Sequence, residues 1–248
     1  MKKFLLMGLI AVFVAGFAMV SYASIDNTFE VAIVTVDGKV QVDEQGSGKW
    51  IAAVPGMRLK AGAGIKTGRA SMVEIVYDAE GLNIVNVDEK TQVTVQNGSL
   101  NLEDGSVLVN FYNLSKGSKF VVKTPTAVCG IRGSGMGVDF IGGMTVARAF
   151  EDKVYVQGVD ANGNAVGKEI VIPEGWKSSI EPDQTPEAPA ELSTNELMIW
   201  DAWVAIITGE TTPEEEGDLK GTEKDMEEKD EELDNKDLDA DKTISPSS

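Results

Sequence analysis

The side chains able to do chemistry are few and scattered. The sequence has no histidine and one cysteine, Cys129, against 40 acidic and 22 basic residues. Without imidazole there is no Ser-His-Asp triad, no Cys-His pair and no imidazole metal ligand. One thiol forms no internal disulfide and no multi-thiolate metal site. Cys129 follows Val128 in an apolar stretch, which predicts a buried, inert thiol; a reactive or intermolecular thiol is the alternative in an oxidising compartment. Carboxylates remain. A facing pair roughly 5–9.5 Å apart across a cleft is the arrangement that hydrolyses glycosidic bonds, but no spacing here singles one out. No Ser or Asp has a base and an orienting group at catalytic spacing. The expectation is a protein that is not an enzyme and has no catalytic residue, no cofactor and no metal site.

Two loops resemble ligand loops without completing them. Gly62-Ala63-Gly64-Ile65-Lys66-Thr67-Gly68 lacks the four-residue spacer of a phosphate loop and sits between strand and turn, with no helix to follow. Asp160-Ala161-Asn162-Gly163-Asn164 lacks the third acidic position and the distal Glu of a calcium loop, and reads as a hairpin turn.

The elements that must position these residues fall into five segments. Residues 1–23 read as a signal peptide: Lys2 and Lys3, an apolar run from Phe4 to Val20, then small residues at 21 and 23, which places cleavage between Ala23 and Ser24. Removal of the two lysines takes the formal charge from -18 to -20. No other stretch approaches the ~20 apolar residues that span a bilayer. Such acidity disfavours nucleic acid and anionic lipid.

Residues 24–180 alternate short apolar strands with Asn-Gly, Asp-Gly and Pro-Gly turns. Period-two alternation is clean at Val93 and Val95, at Leu100 and Leu102, and at Val107, Val109 and Phe111. Asp104-Gly105 reads as the turn between the last two of these runs. The fold class predicted is all-β, a solenoid-like or sandwich-like stack of short strands.

Residues 181–191 hold Pro182, Pro186 and Pro189 and read as a stiff linker. Residues 192–209 predict an amphipathic helix, opened by a capping box at Ser193 and Glu196 and stopped by Gly209. Leu197, Trp200, Val204 and Ile207 share one face, with Trp203 beside it. That face predicts docking onto the β domain, at an open end, or onto a partner. Residues 210–248 hold 16 acidic and 5 basic residues; they predict a disordered acidic tail with weak affinity for divalent cations or a basic partner.

Within the β region the chain resembles the FecR domain of bacterial envelope proteins. The resemblance starts at Val36-Asp37-Gly38-Lys39-Val40-Gln41-Val42 and continues through Leu59 to Gly68. It is strongest at Phe120-Val121-Val122-Lys123-Thr124-Pro125-Thr126-Ala127-Val128-Cys129-Gly130-Ile131-Arg132-Gly133-Ser134. Thr124, Pro125, Gly130, Arg132 and Gly133 are the motif residues. Their physical reading is structural: Pro125 extends Thr124, Gly130 and Gly133, with Gly135 and Gly137 after them, permit tight bends or close backbone approach, and the Arg132 fork clamps turn carbonyls or a carboxylate.

The resemblance implies a mostly β domain outside the inner membrane, periplasmic or extracellular. Signalling members relay a signal from an outer-membrane iron-chelate receptor to a cytoplasmic sigma factor through a cytoplasmic arm. Only Met1 to Lys3 precede the apolar run here, so the expectation is a stand-alone exported member without that arm. It would sense, adapt or bind an envelope partner; the alternative is a structural protein binding glycan or other surface components.

Overall fold

The computed structural model describes residues 31–44, 46–112, 114 and 118–210. The predicted Ala23–Ser24 cleavage site and the acidic residues from 211 onward lie outside them.

Two open sheets carry the chain. Sheet 1 contains β1 (Val31–Asp37), β4 (Arg58–Leu59), β6 (Met72–Val76), β7 (Asn83–Val87), β12 (Gly135–Ile141), β13 (Met144–Ala149), β16 (Trp176–Ile180) and β17 (Ala190–Glu191). Sheet 2 contains β2 (Val40–Asp43), β3 (Ile51–Ala52), β5 (Gly64–Thr67), β8 (Gln92–Gln96), β10 (Phe120–Lys123), β11 (Ala127–Ile131), β14 (Lys153–Val159) and β15 (Ala165–Pro173). The long β9 (Ser99–Phe111) belongs to both. Pairing is antiparallel except for β10 against β9. Sheet 1 runs β4-β1-β6-β7-β9-β12-β13-β16-β17, and sheet 2 runs β3-β2-β5-β8-β9-β10-β11-β14-β15. The expected all-β class is present, as two layers over one core. Among the described residues a single helix, α1 (Thr194–Thr208), follows the last strand.

The alternation read from the sequence explains the core. Val31 and Ile33, Val40 and Val42, Val85 and Val87, Val107 and Val109, Val154 and Val156 all turn inward into one cluster fed by both sheets. Each fully buried aliphatic side chain contributes about 1.5–3 kcal/mol relative to exposure. Tyr77, Phe111 and Phe120 pack together in this core, their ring centroids 4.3–5.7 Å apart. Cys129 is one of these buried residues, and burial pushes its thiol up to about 12.

Asp104-Gly105 corrects one expectation. It is no hairpin turn: β9 runs straight through it and changes sheets there. Residues 99–104 pair with β8 across a bulge near Gln92, and 105–110 pair with β12. Gly105 has φ +95°, and a Cβ at this position would lie 2.1 Å from the Thr91 hydroxyl. The glycine serves a sheet crossing instead of a reversal. Gly130, open in sequence to a bend or a close backbone approach, sits inside β11 opposite Val121 and Tyr155.

Candidate docking site

Sheet 1 has an outer face, built by the alternate residues of its strands. Glu74, Asn86, Leu108, Asn110, Gly135, Gly137, Asp139 and Arg148 project there, because their neighbours enter the core. In a two-layer domain this face would meet water. Here α1 lies on it, forming a second apolar cluster from Phe150, Leu192, Trp200 and Trp203, backed by Ile84 and Leu108.

The helix is set by its ends. Ser193 accepts from the Glu196 amide, and Glu196 reaches back to the Ser193 amide at 2.8 Å. Gly209 closes it in the left-handed region at φ +76°. The capping Glu196 does a second task. Arg148 Nε donates to it at 2.7 Å and Lys177 Nζ at 2.9 Å. Arg148 Nη2 also holds Asp139 at 2.7 Å. Burial works against the charged form of Glu196, but the bonds from Arg148, Lys177 and Ser193 outweigh it and hold its carboxyl well below the usual carboxylate range. Burial likewise opposes the Arg148 cation, and Asp139 with Glu196 keeps it charged.

Two glycines make room for the helix. A Cβ at 135 would lie 2.2 Å from Cζ2 of Trp200, and one at 137 would lie 2.9 Å from Cε2 of Phe150. The notch lets the Trp200 ring stack on Phe150, centroids 4.6 Å apart and 4° from parallel. Trp203 meets Trp200 edge-on, and its indole N–H donates to Glu74 at 2.9 Å. Glu74 also accepts from Thr35 at 2.6 Å. Beneath the helix the fit is imperfect. Asn110 is 1% exposed, and neither of its amide atoms finds a partner among the described residues.

Of the predicted helix face, Trp200 and Trp203 are buried against the sheet, and Val204 and Ile207 pack beside them. Leu197 is exposed. Met198, Ile199 and Ile206 are exposed as well, Met198 to 63% and Ile199 to 53%. The helix is therefore apolar on both sides, with only Glu196 and Asp201 charged along it. It lies on a sheet face, not over an open end. Of the residues that receive it, Gly135 and Gly137 read in sequence as places for bends or close backbone approach, while Glu74 and Arg148 were not among those the sequence singled out. One signal was available: a charged Glu74 inside the apolar run Val73 to Val76, and a tryptophan pair that needs polar partners for its N–H groups.

The motif residues lie in the β11 region, away from α1. Thr124, Thr126 and Thr145 form a buried hydroxyl chain with two 2.6 Å links, and Thr124 also accepts from the Ala127 amide. Pro125 is exposed between them. Gly130 lies within β11, and Gly133 follows it at φ +108°. Arg132 is exposed, with its guanidinium 5.1 Å from the Tyr155 ring centroid. The Gly62 to Gly68 run is largely β5, and Lys66 lies 4.1 Å over the Trp50 ring. Asp160 accepts from the amides of Asn162 and Asn164 in the β14–β15 turn. Among the described residues no group of three or more metal-ligating side chains assembles, and no helix is long and apolar enough to cross a membrane.

These features define a mostly β domain with the helix α1 held on a sheet face by ion pairs and a tryptophan notch. Residues 63–155 match the sequence profile described as FecR protein, and the chain carries a FecR domain. Two solved structures of a candidate anti-sigma factor from Parabacteroides distasonis ATCC 8503, at 1.65 and 2.50 Å resolution, are similar to it. Each is 13% identical, with a TM-score of 0.44, over 55% of this chain and 63% of that one. The chain thus spans under two thirds of the length of these structures. No curated protein matches.

Proposed function

We propose that the protein is a non-enzymatic, exported recognition module of the bacterial envelope that docks a protein partner through the outer side of α1. The observation that carries this reading is a helix apolar on both faces with one face covered. A helix that is hydrophobic all round belongs in a buried setting. Met198, Ile199 and Ile206 are instead exposed, and exposed apolar surface rimmed by polar residues marks contact sites. The FecR match supports a regulatory or sensing role, and the leader-like residues 1–23 support export.

Charge selects the partner. Asp201 is exposed on this side, and residues 210–248 bring 16 acidic and 5 basic residues directly after the helix. Two copies of so acidic a chain repel each other, as does anionic lipid. The complement is a protein with an apolar groove bordered by Lys and Arg.

The test is a photo-crosslinker at Met198 in living cells, followed by affinity measurement on the captured protein. The expected product joins Met198 to a peptide beside basic residues. Its affinity should fall about tenfold or more in Met198→Glu, as the loss of a central apolar anchor does, and fall again with salt. Crosslinks only between copies of this chain, or only to polysaccharide, would overturn the reading.

A further inference from the structure

A cleft of about 340 Å³ opens between one flank of α1 and the outer face of sheet 1. Its charged lining is Asp88, Asp139 and Arg148 from the sheet and Glu196 from the helix. The strand register explains its floor. Ser106 on β9 stands opposite Asp139 on β12, and on its other side the Ser106 carbonyl accepts from the Asp88 amide. Val87, Val107 and Val138 enter the core, so Asp88, Ser106 and Asp139 beside them project outward in one row. Neighbours in such a row stand about 5 Å apart. The small serine leaves a notch with a carboxylate on either side.

Charge sets what enters. Among the described residues Arg148 is the one cation in the lining, and it already holds Asp139 and Glu196, each at 2.7 Å. Lys177 reaches Glu196 from outside the lining at 2.9 Å. Even with Lys177 included, carboxylates outnumber cations. The excess lies at Asp88, with β9 and β12 between it and Arg148 on β13. An anion is repelled here. An ammonium or guanidinium brings the charge and the donors that ionised carboxylates accept. Leu108, Ile199 and Trp203 add apolar sides, against which a lysine or arginine stem packs while its head reaches the carboxylates.

The cleft is also continuous with the exposed apolar stripe of α1. At 3.6 residues per turn, Met198, Ala202, Ile206 and Ile199 share one flank of the helix. Ile199, 53% exposed, is both the edge of this stripe and the lip of the cleft. A chain lying along the stripe passes the mouth.

We infer that the cleft is the anchor pocket for one basic side chain, a lysine or arginine, of the protein that docks on α1. The inference rests on the docking reading above and names its anchor: the stripe meets the partner's apolar groove, and the cleft takes a cation from the groove's border. Because sheet and helix share the cleft, an anchored partner binds the seated α1 in preference to a released one.

The experiment is a ligand-observed NMR titration of the full chain with N-acetyl-lysine methylamide. The norleucine and glutamate analogues are the neutral and anionic comparisons. Saturable, millimolar binding of the lysine probe alone is expected, weakening as salt is raised. Asp88→Asn, which keeps an acceptor for the Glu89 amide, should weaken it about tenfold. Ser106→Leu, which fills the notch, should do the same. Both variants should also lower the affinity of the protein captured at Met198 about tenfold, as loss of an anchor does. Met198→Glu should abolish capture and spare the lysine probe, so the two readings fail separately. Absence of saturable binding, equal binding of either analogue, or full probe affinity in both variants would overturn the inference even where the Met198 product forms. Unchanged partner affinity in both variants would overturn it as well. Probe binding with no protein product at Met198 would overturn the docking reading and, with it, the partner's place in the cleft.

Discussion

Position 135 shows how much a single missing side chain does. Its hydrogen leaves the space that the Trp200 ring takes, 2.2 Å from where a Cβ would stand. Gly135→Ala is therefore expected to push α1 off its seat. Near-ultraviolet circular dichroism should lose the tryptophan signal, and stability should drop about 1–3 kcal/mol, as overpacking does. An unchanged spectrum would show that the helix slides to make room. Glu196 works by charge. Its carboxyl is held low in the folded protein by Arg148 and Lys177, against an unfolded value of about 4.3. A depressed carboxyl stabilises fully above the unfolded value, and that contribution is lost as pH falls toward the folded one. Acidification below about pH 4 should loosen α1, read as a red shift of tryptophan emission. Glu196→Gln should start less stable at pH 7 and show a flatter acid limb.

At the scale of elements, α1 is the part whose hold depends on few side chains. Trp200 is 4% exposed and stacked on Phe150, so Trp200→Ala should cost about 3 kcal/mol by chemical denaturation. Leu197, on the same predicted face, is 37% exposed, and Leu197→Ala should stay within about 0.5 kcal/mol. Equal effects would mean that the helix is seated differently. The bounds of α1 were legible in sequence because caps are local: Ser193, Glu196 and Gly209 say start and stop within three residues of each end. The strands were legible wherever one face is buried, since alternation records that directly. Asp104-Gly105 misled because its chemistry suits a turn and a sheet crossing equally. β11 was hidden by Gly130, which packs in a strand without a side chain. The receiving face of α1 left almost no trace. Its residues come from β6, β7, β9, β12 and β13, and each looks like an ordinary outward-facing position until the helix is laid over them. Asn86 and Glu196 line one cleft from positions over a hundred residues apart, and nothing in their local spacing links them.

For the whole molecule, the shared core predicts one cooperative unit. Val73 and Ile75 of sheet 1 and Val154 and Val156 of sheet 2 are buried in the same cluster. Native-state hydrogen exchange should therefore give the Ile75 and Val156 amides the same opening free energy, equal to that of global unfolding. A lower value in one sheet would mean that the layers melt separately. The ladders also share an order. Strands before β9 pair among themselves and with β9, and strands after it do the same. Among the described residues every backbone ladder joining the two halves of the domain passes through this one strand, to β10 in sheet 2 and to β12 in sheet 1. β9 is thus a seam. A protease nick just beyond Phe111 would leave two fragments, one ending in that strand and the other carrying the two ladders that close on it. Each would expose unpaired strand edges alone, and the edges of one are the complement of the other. A cut there would break the connection at the one strand where both ladders meet, while the common core would still span both pieces.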